Sequence, residues 1–337
     1  MPENPHAALL LTNLGSPDST EVKDVKRYLN EFLMDERVID FPYWFRFLLM
    51  RCLVVPKRAP ESAKAYRKVW TPEGSPLIVE ARKLARKVRE KAGFPVALSM
   101  RYQNPSTEAA FDALLKQDPA LKEVIVLPLY PHYTMSSFDT AVAEVKRIHQ
   151  KRKYAFQLRF LNPFYNHPDY IASLAAQIKP FMEKDYDKIL FSYHGLPERH
   201  MRKDDERIAK GEPSFQLPSV NYQKQAYETT RLVAEYLGIP GEKYEVAFQS
   251  RLKSAGNQWI KPYTQVRLLE LPKEGVKKLL VVCPAFINDC LETLEEIAMR
   301  GKEDFEAAGG DDLTLIPCIN DQEQFADTIV KWATKGQ

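Results

Sequence analysis

The stretch KILFSYHGLP (188–197) decides the fold predicted for this chain. A run of β-favouring residues at 189–193 ends in a single histidine, His194, and the loop-forming sequence Gly-Leu-Pro follows at 195–197. A short apolar run that stops at glycine and proline is typical of a buried strand. The stretch therefore predicts a strand that ends at a side chain able to hold or release a proton near neutral pH.

The same rhythm recurs along the whole chain, where short apolar runs alternate with longer amphipathic segments. This alternation is typical of a parallel α/β architecture. The predicted strands are 7–14, 95–100, 123–129, 155–161, 188–193, 244–249, 277–283 and 313–317. Helices are predicted between them, for example at 106–117 and 227–238. The predicted fold class is α/β, with two similar doubly wound domains that each contain a four-stranded parallel sheet flanked by helices.

A length of 337 residues makes two domains the expected organisation. We predict an N-terminal domain over 1–165 and a C-terminal domain over 166–319. The last segment, 320–337, is predicted to contain a helix that packs back on the N-terminal domain. Because ligands bind beyond the carboxyl ends of parallel strands, we expect a cleft between the two domains to hold a sizeable ligand.

Composition and short motifs exclude several classes of protein. The balance of 48 basic and 45 acidic residues gives no support to a nucleic-acid-binding surface. The four cysteines, at 52, 283, 290 and 318, include no CxxC pair, which argues against a zinc ribbon and fits a reducing compartment. The chain contains no GxGxxG, Walker A or HExxH motif, so a nucleotide cofactor is not indicated.

No signal peptide is recognised at the N-terminus, and we predict a cytoplasmic protein. The longest apolar stretch, FPYWFRFLLMRCLVVP (41–56), is interrupted by Arg46 and Arg51. It is also shorter than the roughly 20 apolar residues that a membrane-spanning helix needs. Peripheral contact with a membrane surface through 41–56 is compatible with this composition.

Two stretches could carry proton or metal chemistry. His194 is either a structural hydrogen-bonding group or a general base at a strand end. In CPAFINDCLETLEEIAMR (283–300), a helix is predicted to begin near Asp289, which places Asp289, Glu292 and Glu296 on one face. These carboxylates and Glu295 could relay protons or a divalent cation, but Asp289 and Glu292 also have the spacing of a helix capping box.

Two further stretches could bind a flat aromatic ligand that carries carboxylates. LPLYPHYTMSSFDT (127–140) contains Tyr130 and Ser136 among aromatic residues at a strand end, where a flat ligand would find stacking partners. VPKRAPESAKAYRKVWTPEGSP (55–76) contains Arg58 and Ser75, which could bind carboxylates. The alternatives are a hydrophobic core for the first stretch and a solvated basic face for the second.

Seven motifs in order along the chain resemble those of the ferrochelatase family, whose members insert Fe²⁺ into a porphyrin to form haem. The motifs are LLLTNLGSP (9–17), MRYQNP (100–105), LPLYPHYTMSS (127–137), ILFSYHGLP (189–197), FQSRL (248–252), QWIKPYT (258–264) and CPAFINDCLETLEEI (283–297). The resemblance covers nearly the whole chain. It implies two similar four-stranded parallel domains around a porphyrin cleft, which agrees with the fold class predicted from the strand rhythm.

The resemblance also implies roles for individual residues. His194 matches the catalytic histidine of the family and Glu292 its essential glutamate; both are candidates for contact with the metal. Glu296 matches a further member of the acidic row, with Asp289 and Glu295 beside it. The positions matched to porphyrin binding are Leu14, Arg58, Ser75, Arg101, Tyr102, Tyr130, Ser136 and Trp259. Segment 41–56 matches the apolar lip of the cleft.

The resemblance identifies Fe²⁺ as a substrate and predicts no permanently bound cofactor and no iron–sulfur cluster. Cys290 stands where animal members of the family carry a histidine, so a metal-relay role at that position is not implied. Leu14 stands where members that act on coproporphyrin III tend to carry a tyrosine, which favours protoporphyrin IX. The alternatives are a coproporphyrin III ferrochelatase, a cobalt chelatase of the same fold and a tetrapyrrole-binding protein without enzymatic activity.

Overall fold

The computed structural model describes residues 5–211, 218–251 and 258–337. Leu252, the last residue of the FQSRL motif, lies outside the described residues. The chain folds into two compact units. The first unit comprises Met1–Tyr130, Thr134–Asn162 and Asn320–Gln337, and the second comprises Pro131–Tyr133 and Pro163–Ile319.

The first unit is built on a parallel sheet, to which the described residues contribute four strands in the order β2-β1-β3-β4. The strands are β1 (Ala7–Gly15), β2 (Val96–Tyr102), β3 (Glu123–Pro128) and β4 (Gln157–Phe160). β1 is buried along almost its whole length because it pairs with β2 on one side and β3 on the other. The connections leave β1 and β3 toward opposite edges of the sheet, so the switch point of the topology lies between these two strands.

The second unit repeats this topology with four strands, among the described residues, in the order β6-β5-β7-β8. The strands are β5 (Lys188–His194), β6 (Tyr244–Gln249), β7 (Lys278–Val282) and β8 (Asp312–Leu315). The switch point lies between β5 and β7, by the same reasoning as in the first unit. The predicted α/β fold class with two similar doubly wound domains is confirmed.

Helices connect the strands within each unit. Those of the first unit are α1 (Val22–Leu33), α2 (Tyr43–Arg46), α3 (Val55–Val69), α4 (Pro76–Ala92), α5 (Thr107–Gln117), α6 (Thr140–Arg152) and, after the second unit in the chain, α13 (Glu323–Lys335). Those of the second unit are α7 (Pro168–Met182), α8 (Glu198–Ala209), α9 (Tyr222–Leu237), α10 (Thr264–Glu270), α11 (Leu291–Thr293) and α12 (Lys302–Ala307). Shorter 3₁₀ turns lie at Gly241–Lys243 and Leu271–Glu274.

Local sequence signals define several of these helices. Ser106 accepts the backbone N–H of Ala109 and caps α5, and Asn221 caps α9 by accepting the N–H of Lys224. Gly238 ends α9 in the left-handed conformation that glycine adopts without steric cost. α9 begins five residues before the predicted segment, because the cap at Asn221 precedes the apolar pattern from which the helix was predicted.

The C-terminal helix α13 belongs to the first unit and packs on α4. Phe325, Ile329 and Trp332 are fully buried on its inner face. On the rim of this contact, Lys87 pairs with Asp321 at 2.8 Å and with Glu323 at 3.0 Å. Burial of the apolar face supplies most of the stabilisation, because exposed ion pairs contribute little.

Within the described ranges, three segments of π-helix interrupt the α-helical pattern: Phe47–Val54, Met135–Asp139 and Leu294–Gly301. The segment Leu294–Gly301 changes the helix predicted near Asp289. The helix begins at Leu291 and is capped by Cys290, so Asp289 precedes it. The capping box therefore joins Cys290 to Thr293, one residue later than the predicted pair Asp289 and Glu292.

The segment 41–56, the lip, contains α2 and the first π-helix and carries a cluster of exposed apolar side chains. Tyr43 is 65% exposed, Trp44 69%, Leu48 54% and Leu53 51%. Arg46, in contrast, is buried and donates hydrogen bonds to two carbonyl groups of the chain that leads into the lip. None of the helices in the described ranges is long and apolar enough to cross a membrane.

Candidate functional site

His194 is the last residue of β5 and borders the switch point of the second sheet. Its ring Nδ1 lies 2.7 Å from the carbonyl oxygen of Gly195. A carbonyl oxygen can only accept, so Nδ1 carries the hydrogen, and in the neutral ring Nε2 carries the free lone pair. The backbone carbonyl of His194 accepts the hydroxyl of Tyr222 at 2.9 Å, which fixes the residue from behind. The sequence at this strand end therefore presents a histidine whose Nε2 can accept a proton.

Gly195 is required by close packing beside His194. A Cβ atom at this position would lie 2.6 Å from the carbonyl oxygen of Gln249 and 3.4 Å from the ring of Trp259. The Gly195 N–H donates to that same carbonyl oxygen at 2.8 Å. Trp259 is held there because Ile260 N donates to Leu196 O at 3.0 Å. The indole of Trp259 thus packs against the glycine that follows the histidine.

Gln249, the last residue of β6, connects the strand of His194 to Glu292. It is completely buried and stands opposite His194 in the register of the two strands. Its Oε1 accepts the hydroxyl of Ser192 at 2.7 Å, and its Nε2 donates to the backbone carbonyl of Glu292 at 2.8 Å. Gln249 was not among the predicted site residues, and its place at the end of a predicted strand was the available signal.

Glu292 lies in the first turn of α11, which follows β7 on the other side of the switch point from β5. Cys290 caps this turn, and its backbone N–H donates to Thr293 Oγ1 at 3.0 Å. Burial raises the pKa of the Cys290 thiol well above its usual value, and the neighbouring Glu292 carboxylate raises it further. Cys290 is therefore a neutral thiol at pH 7.

Asp289 is buried and accepts hydrogen bonds from two parts of the second unit. Its Oδ1 accepts the hydroxyl of Thr293 at 2.9 Å and the backbone N–H of Cys318 at 3.4 Å. The carboxylate thus ties the start of α11 to the segment after β8. Asp289, which was predicted to relay protons or metal, therefore has a structural role in these hydrogen bonds.

The two glutamates on the π-helix Leu294–Gly301 have different partners. Glu295 pairs with Arg300 at 3.2 Å. Glu296 accepts the backbone N–H of Ser250 at 2.7 Å, the hydroxyl of Ser250 at 2.5 Å and the side-chain amide of Gln265. The predicted acidic row is therefore divided, because each of these carboxylates is directed to its own set of donors.

In the first unit, Arg101 and Tyr102 end β2 and converge on Asp35. Arg101 Nη2 lies 2.5 Å from Asp35 Oδ2, and the Tyr102 hydroxyl donates to the same oxygen at 2.9 Å. Thr140 also donates to it. Burial acts to raise the pKa of Asp35, but the hydrogen bond from Thr140 and the charge of Arg101 outweigh it, and the pKa is lowered. Asp35 is thus an ionised anchor that sequence analysis missed, because its partners are distant in the chain.

Leu14 and Tyr130 lie at the ends of the two strands that border the switch point of the first sheet. Leu14 is half-buried near the end of β1, and Tyr130 is buried two residues after β3. The Tyr130 hydroxyl has no hydrogen-bond partner among the described residues. Burial also raises its pKa far above the usual value, so the hydroxyl stays protonated.

The other residues predicted for porphyrin binding in the first unit lie on helical elements. Arg58 is half-buried on α3. Ser75 immediately precedes α4, and its Oγ accepts the hydroxyl of Ser16 at 2.7 Å. Ser136 is half-buried in the π-helix Met135–Asp139, 3.3 Å from Thr134 Oγ1.

In the second unit, Gln249 links the strand that ends at His194 to the turn that carries Glu292. His194 presents a free ring nitrogen, and Glu292 is tied to the same glutamine that braces the strand of His194. Across the described ranges, no group of three or more His, Cys, Asp or Glu side chains could hold a metal ion.

Comparison with known proteins gives consistent matches. The family described as ferrochelatase matches residues 6–337. A ferrochelatase of Pseudomonas entomophila (strain L48) is 47% identical over 330 residues, which cover 94% of this chain and 96% of that protein. A ferrochelatase of Pseudomonas fluorescens (strain Pf0-1) is 46% identical over 332 residues, which cover 96% of each.

A solved structure described as SirB from Bacillus subtilis with Fe³⁺ has a TM-score of 0.56, and the match covers 98% of both chains at 12% identity. A second solved structure, the sirohydrochlorin chelatase SirB from Bacillus subtilis subspecies spizizenii in complex with cobalt, has a TM-score of 0.50 at 14% identity. At these identities the likeness shows the fold alone.

Proposed function

The chain belongs to the ferrochelatase family, and on that premise we propose that it inserts Fe²⁺ into protoporphyrin IX with release of two protons. The observation that carries the proposal is the hydrogen bond from His194 Nδ1 to the Gly195 carbonyl. It leaves Nε2 as the acceptor for a pyrrole proton, which is the role of a histidine that acts as a general base.

The reaction requires both pyrrole N–H protons to leave before the metal is fully bound. In a planar macrocycle these hydrogens and the nitrogen lone pairs lie in the ring plane. We propose that the enzyme binds a bent porphyrin, with contacts to the remote parts of the ring offsetting the cost of distortion. His194 then accepts a proton from the face that it borders.

Glu292 is proposed to stabilise the imidazolium of His194 or to take its proton onward, and both residues are proposed to contact the metal during insertion. Its place supports this role, because Gln249 joins its backbone to the strand of His194. The Cys290 thiol beside it is neutral and adds no competing charge. A relay through Asp289 and Glu295 stays a prediction, whereas the hydrogen bonds of Glu296 favour a different role for that residue.

The proposed porphyrin contacts fall into two groups. Leu14, Tyr130, Ser136 and Trp259 are proposed to touch or border the macrocycle. Arg101 and Tyr102 belong to the same group, and the Arg101 guanidinium carbon lies 4.3 Å from the centre of the Tyr102 ring. In the second group, Arg58 and Ser75 are proposed to hold the propionates. Family members that act on coproporphyrin III tend to carry a tyrosine at the position of Leu14. The leucine in this chain therefore favours protoporphyrin IX as the substrate.

Fe²⁺ enters this reaction as a substrate, and we propose that no iron–sulfur cluster is needed. Burial raises the pKa of the Cys283, Cys290 and Cys318 thiols well above their usual value. Cys283 and Cys318 pack in a hydrophobic core cluster of the second unit, which accounts for their burial without a cluster of iron and sulfur.

We also propose a cytoplasmic location with peripheral contact at the inner face of the membrane through the lip. Tyr43, Trp44, Leu48 and Leu53 expose apolar surface on one short segment. Arg51 is exposed within the lip and Lys57 is exposed directly after it, and both would favour anionic lipid headgroups.

Purified protein incubated with protoporphyrin IX and either Fe²⁺ or Zn²⁺ tests the proposal. Repeated turnover, seen as continuous loss of free-base porphyrin fluorescence beyond one equivalent of enzyme, is expected. Binding that stops at one equivalent would contradict it and indicate a tetrapyrrole carrier. The same assay with coproporphyrin III and with Co²⁺ compares the alternative substrates, and a higher kcat/KM on coproporphyrin III would overturn the choice of protoporphyrin IX.

A further inference from the structure

The carboxylate of Glu296 is occupied by the end of β6. Oε1 accepts the backbone N–H of Ser250 at 2.7 Å and also the side-chain amide of Gln265. Oε2 accepts the Ser250 hydroxyl at 2.5 Å, and the Glu296 side chain is buried. Three of the about four acceptor positions of an ionised carboxylate are thus filled by protein donors. Little capacity remains for protons or metal ions in transit.

Ser250 needs such a partner because its backbone is left-handed, with φ of +61°. A residue other than glycine adopts this conformation only when its surroundings enforce it. Glu296 binds both the N–H and the hydroxyl of this one residue. The carboxylate therefore holds the chain in a conformation that Ser250 would otherwise avoid.

The first unit contains the same device at the equivalent position of its sheet. Gln103 follows β2 as Ser250 follows β6, and it too is left-handed, with φ of +64°. Its backbone N–H donates to Glu31 at 3.2 Å, and its side-chain amide donates to the same carboxylate. The first strand of that unit ends in Leu-Gly and carries no histidine. In both units, a glutamate therefore stabilises the left-handed residue that follows the edge strand. In the first unit it does so although the neighbouring strand carries no histidine that could accept a proton.

We propose that Glu296 is a positioning residue, which holds the end of β6 through Ser250 and does not itself carry protons or metal. The effect reaches the reacting groups through the residue before Ser250. Gln249 accepts the N–H of Gly195 with its backbone and donates to the carbonyl of Glu292 with its side chain. The inference rests on the proposed function for its effect on turnover, and on the hydrogen bonds alone for its effect on stability.

The variant Glu296→Gln separates positioning from proton or metal transfer. Glutamine keeps one oxygen for Ser250 N–H and Gln265, and its amide can donate to the Ser250 hydroxyl, but it carries no charge and no acid–base function. We expect turnover within about threefold of wild type, with an unchanged pH profile and an unchanged KM for Fe²⁺ or Zn²⁺. Glu296→Ala, which removes the hydrogen bonds, is expected to lower kcat at least about tenfold.

Glycine at position 250 provides the rescue. Because glycine adopts positive φ without strain, Glu296→Ala combined with Ser250→Gly is expected to recover part of the lost turnover. The matched control is Glu303→Gln, which removes one charge from the exposed face of α12 on the same helical run and is expected to leave turnover unchanged. If Glu296→Ala does not fold, the inference is tested by the turnover of Glu296→Gln and of the double variant Glu296→Ala with Ser250→Gly.

Two results would overturn the inference: Glu296→Gln as inactive as Glu296→Ala, or Glu296→Ala as active as wild type. Failure of the wild-type protein to turn over would refute the proposed function instead. The inference would then be judged on urea unfolding, where Glu296→Gln should match wild type, Glu296→Ala should unfold at lower urea, and Ser250→Gly should restore part of the difference. Equal unfolding midpoints in all variants would overturn it.

Discussion

The side-chain amide of Gln249 donates a hydrogen bond of 2.8 Å to the backbone carbonyl of Glu292. The backbone carbonyl of Gln249 accepts the N–H of Gly195 over the same distance. One buried residue therefore holds the turn that carries Glu292 and the loop that begins at His194. The chemistry proposed for these two residues depends on a neighbour that takes no part in it.

Gln249→Ala is expected to lower the free energy of unfolding by about 2–4 kcal/mol, because Ser192 and the Glu292 carbonyl lose a buried partner and a cavity remains. Turnover should fall at least about tenfold. Urea unfolding and the insertion assay measure both effects. Gln223→Ala is the control, since the amide of Gln223 on α9 donates one long hydrogen bond of 3.4 Å to the Lys261 carbonyl. A loss no larger than that of the control would show that Gln249 is not the link described.

Gly195→Ala is expected to reduce both stability and turnover, because its Cβ would lie 2.6 Å from the Gln249 carbonyl oxygen. Relief requires movement of backbone beside His194, at a cost of about 1–3 kcal/mol. The matched control is Gly241→Ala, where a Cβ meets nothing within 4 Å and φ is not positive. Thermal unfolding of the two variants provides the comparison. Equal melting temperatures would contradict the close approach at Gly195.

His132 gives the protein a predictable sensitivity to acid. Burial lowers its pKa to about 3, and its ring Nε2 lies 2.9 Å from Thr229 Oγ1. The native state therefore keeps His132 neutral, whereas the unfolded chain takes up a proton below a pH of about 6.5. His132 therefore leaves the free energy of unfolding unaffected above a pH of about 6.5. As the pH falls from there toward 3, the free energy of unfolding decreases by about 1.4 kcal/mol per pH unit.

His132→Gln tests that sensitivity, since glutamine can still donate to Thr229 but does not titrate. Between pH 6.5 and 4.5 the wild type is expected to lose about 2 kcal/mol more of unfolding free energy than the variant. Urea unfolding at each pH measures the difference. Identical pH dependence in the two proteins would show that His132 is not held neutral.

The double change Trp44→Ser and Leu48→Ser is expected to weaken binding to vesicles of anionic phospholipid without lowering the melting temperature. Both side chains are more than half exposed, so the folded state does not depend on their burial. Tyr236→Ser serves as the control, because Tyr236 is 63% exposed on α9 outside the lip. Vesicle co-sedimentation that stays at the wild-type level would argue against membrane contact through the lip.

The strand pattern was predictable because each strand is a short apolar run bounded by turn residues. KILFSYH became β5, and the other seven predicted strands lie within two residues of the observed ones at both ends. Such runs occur because a strand in a parallel sheet is buried on both faces. The predicted cleft between the domains and the roles of the individual site residues stay predictions.

The helix that carries Glu292 was predictable in place but not in form. The periodicity of a regular α-helix places Asp289, Glu292 and Glu296 on one face. In the structure, however, the helix begins at Leu291 and continues as a π-helix from Leu294. An α-helix and a π-helix have similar compositions, so the sequence pattern does not distinguish them.

The bracing residues Gln249 and Asp35 were not identified, because their partners lie far away in the chain. Asp35 meets Arg101 and Thr140 at separations of 66 and 105 residues. The periodicity and short motifs of neighbouring residues do not indicate which distant residues will pair. These pairs form only when the folded chain brings the residues together.

Metal insertion by His194→Ala tests the central claim most directly. Protoporphyrin binding, measured by fluorescence titration, and single-turnover Zn²⁺ or Fe²⁺ insertion are compared with wild type on protein of unchanged melting temperature. The account predicts porphyrin affinity close to wild type and no measurable insertion, because Nε2 is the proton acceptor. Insertion at the wild-type rate in this variant would contradict it.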